Sequence, residues 1–217
     1  MKIKAENKAL RQQAGYTLVE LSITVAIIAV LVMTGLYGVP RILDTNKVTI
    51  ATQQVALANA NYSKVAMSST DLTWANVITA YAPATASTYA SMGLWADEAV
   101  LKTAGVPYAI QHPFGGMVYS KVNSTAITGY LGVGEGYILK LDSVPVKNCL
   151  ALAGAFGATA LQIAIDSAGT TGFIPVATDP TFTSVKAAGG QLANAALATA
   201  CAATPGSPKA IYLWFAF

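Results

Sequence analysis

The sequence predicts an α+β protein. A long N-terminal α-helix with an apolar first half packs on a C-terminal globular head, which holds an antiparallel β-sheet and a disulfide-bounded region. Three observations predict this. Residues 21–39 carry no charged side chain. Apolar residues then recur at helical spacing as far as Val65. Beyond residue 113, short runs rich in β-branched and aromatic residues stand between Gly- and Pro-bearing turns.

The apolar helix is defined by the order of charges before it. A basic head with Lys2, Lys4, Lys8 and Arg11 runs up to Gly15, and Tyr16-Thr17-Leu18-Val19-Glu20 leads into the charge-free stretch. Nineteen helical residues span about 28 Å, close to a bilayer hydrocarbon core of about 30 Å. A secretory signal is cut beyond its apolar core, after small residues. Here Gly35-Leu36-Tyr37-Gly38-Val39-Pro40-Arg41 follows instead, without such a site. Four cations before the span and Arg41 behind it place the N-terminus in the cytoplasm and the remainder outside. On hydropathy alone this describes a signal anchor as well as anything else.

Glu20 shifts that reading. An acid in a membrane segment costs a few kcal/mol, on the order of 3 on the milder scales, and so usually has a partner or a task. No Lys or Arg lies one turn away from it. Cleavage after Gly15 would give Tyr16 a new α-amine four residues before Glu20. A helix N-terminus favours the carboxylate and disfavours the amine. A charge pair between neighbouring copies in an apolar bundle would satisfy both groups.

Gly15-Tyr16-Thr17-Leu18-Val19-Glu20 followed by an apolar helix resembles the class III signal of type IV prepilins. The resemblance implies cleavage between Gly15 and Tyr16 by a prepilin peptidase, N-methylation of Tyr16, and a role for Glu20 in docking each new subunit into a helical filament of identical subunits. It also implies insertion in the bacterial inner membrane before assembly, an inner-membrane assembly machinery as partner, and an extracellular pilus afterwards. Tyr16 departs from the commoner Phe, Met or Leu, and the leader is longer than in the type IVa group. The chain then divides into a leader (1–15), a transmembrane and filament-core helix (16–40), an amphipathic second half of the helix (41–69) and a globular pilin head (70–217).

The leader carries Lys2, Lys4, Lys8, Arg11 and Glu6, hence the whole net charge of +3. Nine basic and nine acidic side chains remain beyond it. A neutral mature chain offers no basic surface for nucleic acid, and no specific nucleic-acid partner is expected.

Gly35, Gly38 and Pro40 weaken the helix where it leaves the membrane, and Pro40 removes a backbone donor. A kink is the plain structural reading. In the resembling family, the stretch after the glutamate can melt in the filament, so these three are the helix-break candidates. Past them, Ile42, Leu43, Val48, Val55, Tyr62 and Val65 continue one helix from residue 17 to about 68. Residues 71–113 read as a Thr-, Ser- and Ala-rich connection, with a helical turn at 74–81 and a short helix at 96–103. His112-Pro113-Phe114-Gly115-Gly116 reads as the turn that begins the sheet. Strands are expected at 117–122, 127–133, 137–141, 160–165 and 211–217, and helices at 145–156 and 190–201. In the last strand Ile211, Leu213, Phe215 and Phe217 face one way and Tyr212 and Trp214 the other.

Cys149 and Cys201 are the two cysteines, both in the exported part, where a pair usually bonds. Two buried free thiols are the alternative. A wide C-terminal pair also resembles the disulfide-bounded region of pilins, especially the type IVb group.

Little points to catalysis, to a cofactor or to a metal. His112 sits in a Pro-Gly turn, without a visible nucleophile and acid around it. Glycines 129, 132, 134 and 136 favour a hairpin, since no G-x-G-x-x-G precedes a helix. Asp97-Glu98 reads as a solvated helix start. Asn61-Tyr62-Ser63 and Asn123-Ser124-Thr125 match the glycosylation sequon. The expected function is the major structural subunit of a type IV pilus. The alternatives are a minor pilin, a type II secretion pseudopilin, or a signal-anchored ectodomain of other function.

Overall fold

A run of apolar residues can shed water only if its backbone groups bond within the run, and the longest such run forms the longest element. The structure, a computed structural model, describes residues 17–68, 93–123, 126–166 and 182–217. Helix α1 (Leu18–Ser68) comes first, followed by a 3-10 turn (Asp97–Ala99), β1 (Val100–Thr103), β2 (Val106–Gln111), β3 (Met117–Val122) and β4 (Gly136–Val144). Then come α2 (Val146–Ala155), β5 (Gln162–Asp166), β6 (Phe182–Lys186), α3 (Asn194–Ala202) and β7 (Lys209–Ala216). Backbone contacts divide the chain into two units, Met1–Leu43 and Asp44–Phe217.

In the first unit, α1 begins at Leu18 and its large apolar side chains are exposed, from Leu18 and Leu21 through Ile28 and Leu31 to Leu36 and Val39. Among the described residues, it is the helix long and apolar enough to cross a membrane.

The second unit is built round one sheet in the order β1-β2-β3-β4-β7-β5-β6, antiparallel at every pairing. The C-terminal strand β7 is inserted between β4 and β5. That position explains its apolar sequence, because both its faces are covered. Ile211, Leu213 and Phe215 join the main core, with Phe217 packed against it, while Tyr212 and Trp214 join a second cluster on the other face. The expected alternation of β7 therefore holds.

The second half of α1 joins the main core through Ala51, Val55, Ala58 and Tyr62, spaced four, three and four residues apart on one stripe. Val48 and Val65 flank the stripe. Ile42 and Leu43, read as part of the same apolar face, are exposed instead. Small Ala51 and Ala58 take the buried positions.

Three expected elements need correction. Residues 96–103 are not a helix: after one 3-10 turn the β-branched Val100 and Thr103 pair with β2, and Ala104 and Gly105, both at positive φ, turn the chain back. Residues 127–133 are not a strand. They are a turn with a single bridge, Ile127↔Leu131, since Gly129 and Gly134 both adopt φ near +81°. The sheet also begins two strands before the His112 turn, which joins β2 to β3. Strand β6 was not expected. The helical turn read at 74–81 lies outside the described residues.

Candidate functional site

Thr17 caps the start of α1 with both its side chain and its backbone. Thr17 precedes the helix, and its Oγ1 accepts the Glu20 backbone N–H at 3.3 Å. The Thr17 carbonyl accepts the Leu21 N–H at 3.1 Å. Thr17-Leu18-Val19-Glu20 thus has the S/T-x-x-E spacing of a capping box, with Glu20 in the first turn, where the helix dipole favours a carboxylate. The spacing is visible in the sequence, but the role of Thr17 shows only once the helix start is placed. Gly15 and Tyr16, the expected processing pair, lie outside the described residues.

Further along, Ser22, Thr24 and Thr34 donate to the carbonyls of Val19, Leu21 and Leu31 at 2.7, 2.8 and 2.9 Å. Each hydroxyl is satisfied within the helix, as a lipid environment requires. At Gly35, Gly38 and Pro40 the chain remains one helix, with Pro40 inside it. Among the described residues, a Cβ at either glycine would meet nothing within 4 Å, so no close neighbour there demands glycine. Pro40 has no N–H to give the carbonyl one turn earlier, which makes this the weakest stretch of the hydrogen-bond ladder.

In the second unit, Cys149 on α2 and Cys201 on α3 form a disulfide with Cα atoms 5.7 Å apart, 52 residues apart in sequence. Both are buried in the main core. The closed segment includes β5, β6 and most of both helices, so the bridge staples the end of the sheet beyond β7. Lys209 donates from the start of β7 to the carbonyls of Ala203 and Thr204 and so serves the C-terminal end of α3.

Polar ties hold the spine to the sheet. The Tyr62 hydroxyl donates to Ser120 Oγ at 3.3 Å and accepts from Trp95 Nε1 at 3.2 Å. Burial pushes its pKa up to about 12. Tyr137 donates to Asn59 Oδ1 at 2.5 Å, and burial raises its phenol well above the ordinary range. Lys147 on α2 pairs with Asp44 on α1 at 2.5 Å.

Both sequon asparagines are engaged in the fold. Asn61 Nδ2 donates to the carbonyls of Gly93 and Leu94. Asn123 is 2 % exposed; it donates to the Gly132 carbonyl at 2.7 Å and accepts from the Gly136 N–H at 2.9 Å. The glycine-bearing stretch is therefore a turn organised by Asn123. Exposed Asp97 pairs with Lys102 at 2.5 Å.

On the sheet face away from the main core, Lys140, Asp142 and Asp166 are buried with Tyr212. The Lys140 ammonium lies 4.0 Å from Asp142 Oδ1 and 5.6 and 5.7 Å from the Tyr119 and Tyr212 ring centres. Burial lowers the Lys140 pKa, against the opposing pull of Asp142 and Asp166. Nothing in the spacing of these charges marks them as turned inward. Among the described residues, no group of three His, Cys, Asp or Glu side chains is placed to hold a metal.

Residues 10–36 match the family described as the prokaryotic N-terminal methylation motif. Among solved structures, the chain is similar to a type IV b pilin from Salmonella typhi, with a TM-score of 0.51 at 11% identity. That likeness covers 77% of this chain and 98% of the other. No curated protein matches the chain. The chain thus carries a prepilin-type motif on a type IV pilin-like fold: a long N-terminal helix, an antiparallel sheet and one disulfide.

Proposed function

We propose that the chain is the major structural subunit of a type IV pilus, inserted in the inner membrane, processed between Gly15 and Tyr16, and polymerised into a surface filament. The observation that carries this is the methylation motif on residues 10–36, continuous with an exposed apolar helix that bears Glu20 in its first turn. An apolar helix that is exposed among the described residues needs lipid or other helices around it. The motif favours both in turn, membrane first and filament core second.

In this reading Glu20 of an incoming subunit pairs with the α-amine of Tyr16 on its neighbour, and removing the leader creates that amine. Gly35, Gly38 and Pro40 then mark where α1 unwinds when the filament is stretched. The prepilin peptidase and an inner-membrane assembly machinery are the further partners. A minor pilin or a type II secretion pseudopilin would carry the same motif, and abundance separates them. Sheared surface filaments should consist mainly of this chain. Its presence only in trace would reject the major-subunit role while leaving the prepilin reading intact.

A further inference from the structure

His112 was read as a turn residue, and it is one, but its ring does more than fill the turn. It is 3 % exposed, with Nε2 at 2.5 Å from the Asp142 carbonyl oxygen and Nδ1 accepting the Phe114 backbone N–H at 3.2 Å. A carbonyl can only accept and an N–H can only donate, so these partners require the neutral ring with its proton on Nε2. The neighbouring backbone is shaped round that contact. A Cβ on Gly116 would lie 2.0 Å from the Asp142 carbonyl oxygen and 2.5 Å from His112 Nε2. The Asp142 carbonyl belongs to an irregularity in β4 between Leu141 and Val144, where Ser143 takes φ +56° and donates its N–H to Asp142 Oδ1 at 2.9 Å.

The latch sits where the sheet is thinnest. Strand β2 pairs with β3 at Ile110↔Val118 and Gln111↔Met117, whereas β3 and β4 pair at five positions. The turn adds His112 N–H to the Gly116 carbonyl, Gly115 N–H to the His112 carbonyl, and Gln111 Nε2 to the Gly115 carbonyl. Val100 and Ile110 supply the hairpin's share of the core.

We propose that His112 is an acid-released latch: neutral, it closes the turn that docks the β1–β2 hairpin on the sheet, and protonated, it lets that hairpin open from the edge. The added proton goes onto Nδ1, where it meets the Phe114 N–H head-on and breaks that bond, so the turn gives way while Nε2–H keeps its bond to the Asp142 carbonyl. On β4, the Asp142 carboxylate favours the imidazolium, and Lys140, 4.0 Å from that carboxylate, opposes it. On β3, Tyr119 is neutral, with its phenol raised by burial and by Asp142. Gln111 on β2 carries no charge. Burial outweighs Asp142 and holds the ring below its ordinary value of 6.5. A lowered folded value stabilises fully above 6.5, and the benefit is lost as pH falls from there. Opening therefore becomes roughly tenfold easier per pH unit below 6.5, until the folded value is reached.

Hydrogen exchange of the full chain in detergent micelles, corrected for intrinsic rates, tests this between about pH 7.5 and about pH 5. Residues 100–111 should lose protection as pH falls below 6.5, by up to roughly tenfold per unit, with β5 and β7 unchanged, and His112→Gln should abolish the dependence. Equal protection at both pH values, or the same dependence in His112→Gln, overturns the proposal. Should that variant not fold, the ring resonance of the single histidine decides in the unaltered chain. A midpoint below 6.5 that coincides with movement of the Phe114 amide supports the latch; a titration that leaves that amide unmoved overturns it.

Discussion

The Tyr62 ring on α1 and the Tyr137 ring on β4 lie 4.4 Å apart, and Tyr137 continues the stack to Phe215 and Phe217 at 5.4 and 5.5 Å. Their hydroxyls reach different partners. One reaches Ser120 and receives Trp95, and the other reaches Asn59. The pair therefore fixes the spine helix against the middle of the sheet with both apolar area and direction.

Tyr62→Phe keeps the ring and strands the buried Trp95 N–H, at a cost of about 1–3 kcal/mol in urea unfolding. The same variant should make the alkaline limb shallower, leaving the share that buried Tyr137 contributes. Because burial raises the Tyr62 pKa from 10.0 to about 12, its stabilisation is complete below 10 and lost as pH climbs toward 12. An unchanged alkaline limb in Tyr62→Phe would show that another group carries it.

Loss of the Cys149–Cys201 bridge, by Cys201→Ser with Cys149→Ser, should cost about 4 kcal/mol for a loop of 52 residues. Exchange should rise first in β5, β6 and α3, which the loop contains. A uniform rise across β3 and β4 as well would mean that the staple acts on the whole head.

Two glycines separate sterics from backbone conformation. Gly116→Ala meets a backbone carbonyl at 2.0 Å, which has no easy way to yield. Gly189→Ala meets the Tyr130 ring at 2.2 Å, but that side chain is 54% exposed and can swing away, leaving mainly the strain of φ +66°. Thermal unfolding should place Gly116→Ala below Gly189→Ala, by roughly 1–3 kcal/mol. The reverse order would place the close approach of β3 to β4 elsewhere.

At the start of α1, Thr17→Val removes the cap, at a cost of about 1 kcal/mol in helix stability. Glu20→Ala should leave membrane insertion intact and abolish filaments. Normal filaments from Glu20→Ala would contradict the pairing with Tyr16.

Period and punctuation made much of the fold legible. Val55 and Tyr62 of the α1 stripe, with β3, β4, α2 and β7, follow from countable spacing, whereas buried Ala51 and Ala58 do not, and Pro145 stands immediately before α2, as its φ suits. Hairpin β1–β2 escaped because Pro107 demotes a strand and the Ala104-Gly105 turn is not a strong signal. Residues 127–133 misled because apolar Ile127, Leu131 and Val133 sit among glycines that turn the chain. Lys140 is spaced as a solvent-facing residue, and only tertiary packing puts it between two tyrosines. Glu20 stood out in the sequence by its charge alone, whereas its cap, Thr17, needed the helix start to be fixed first.

Removal of the leader decides the first residue of the mature chain. Mass spectrometry of the N-terminal peptide, taken from membranes and from sheared filaments, reads that residue. Both samples should begin at Tyr16 with a methylated amine. A chain that still begins at Met1, or that is cut beyond residue 39, would contradict this.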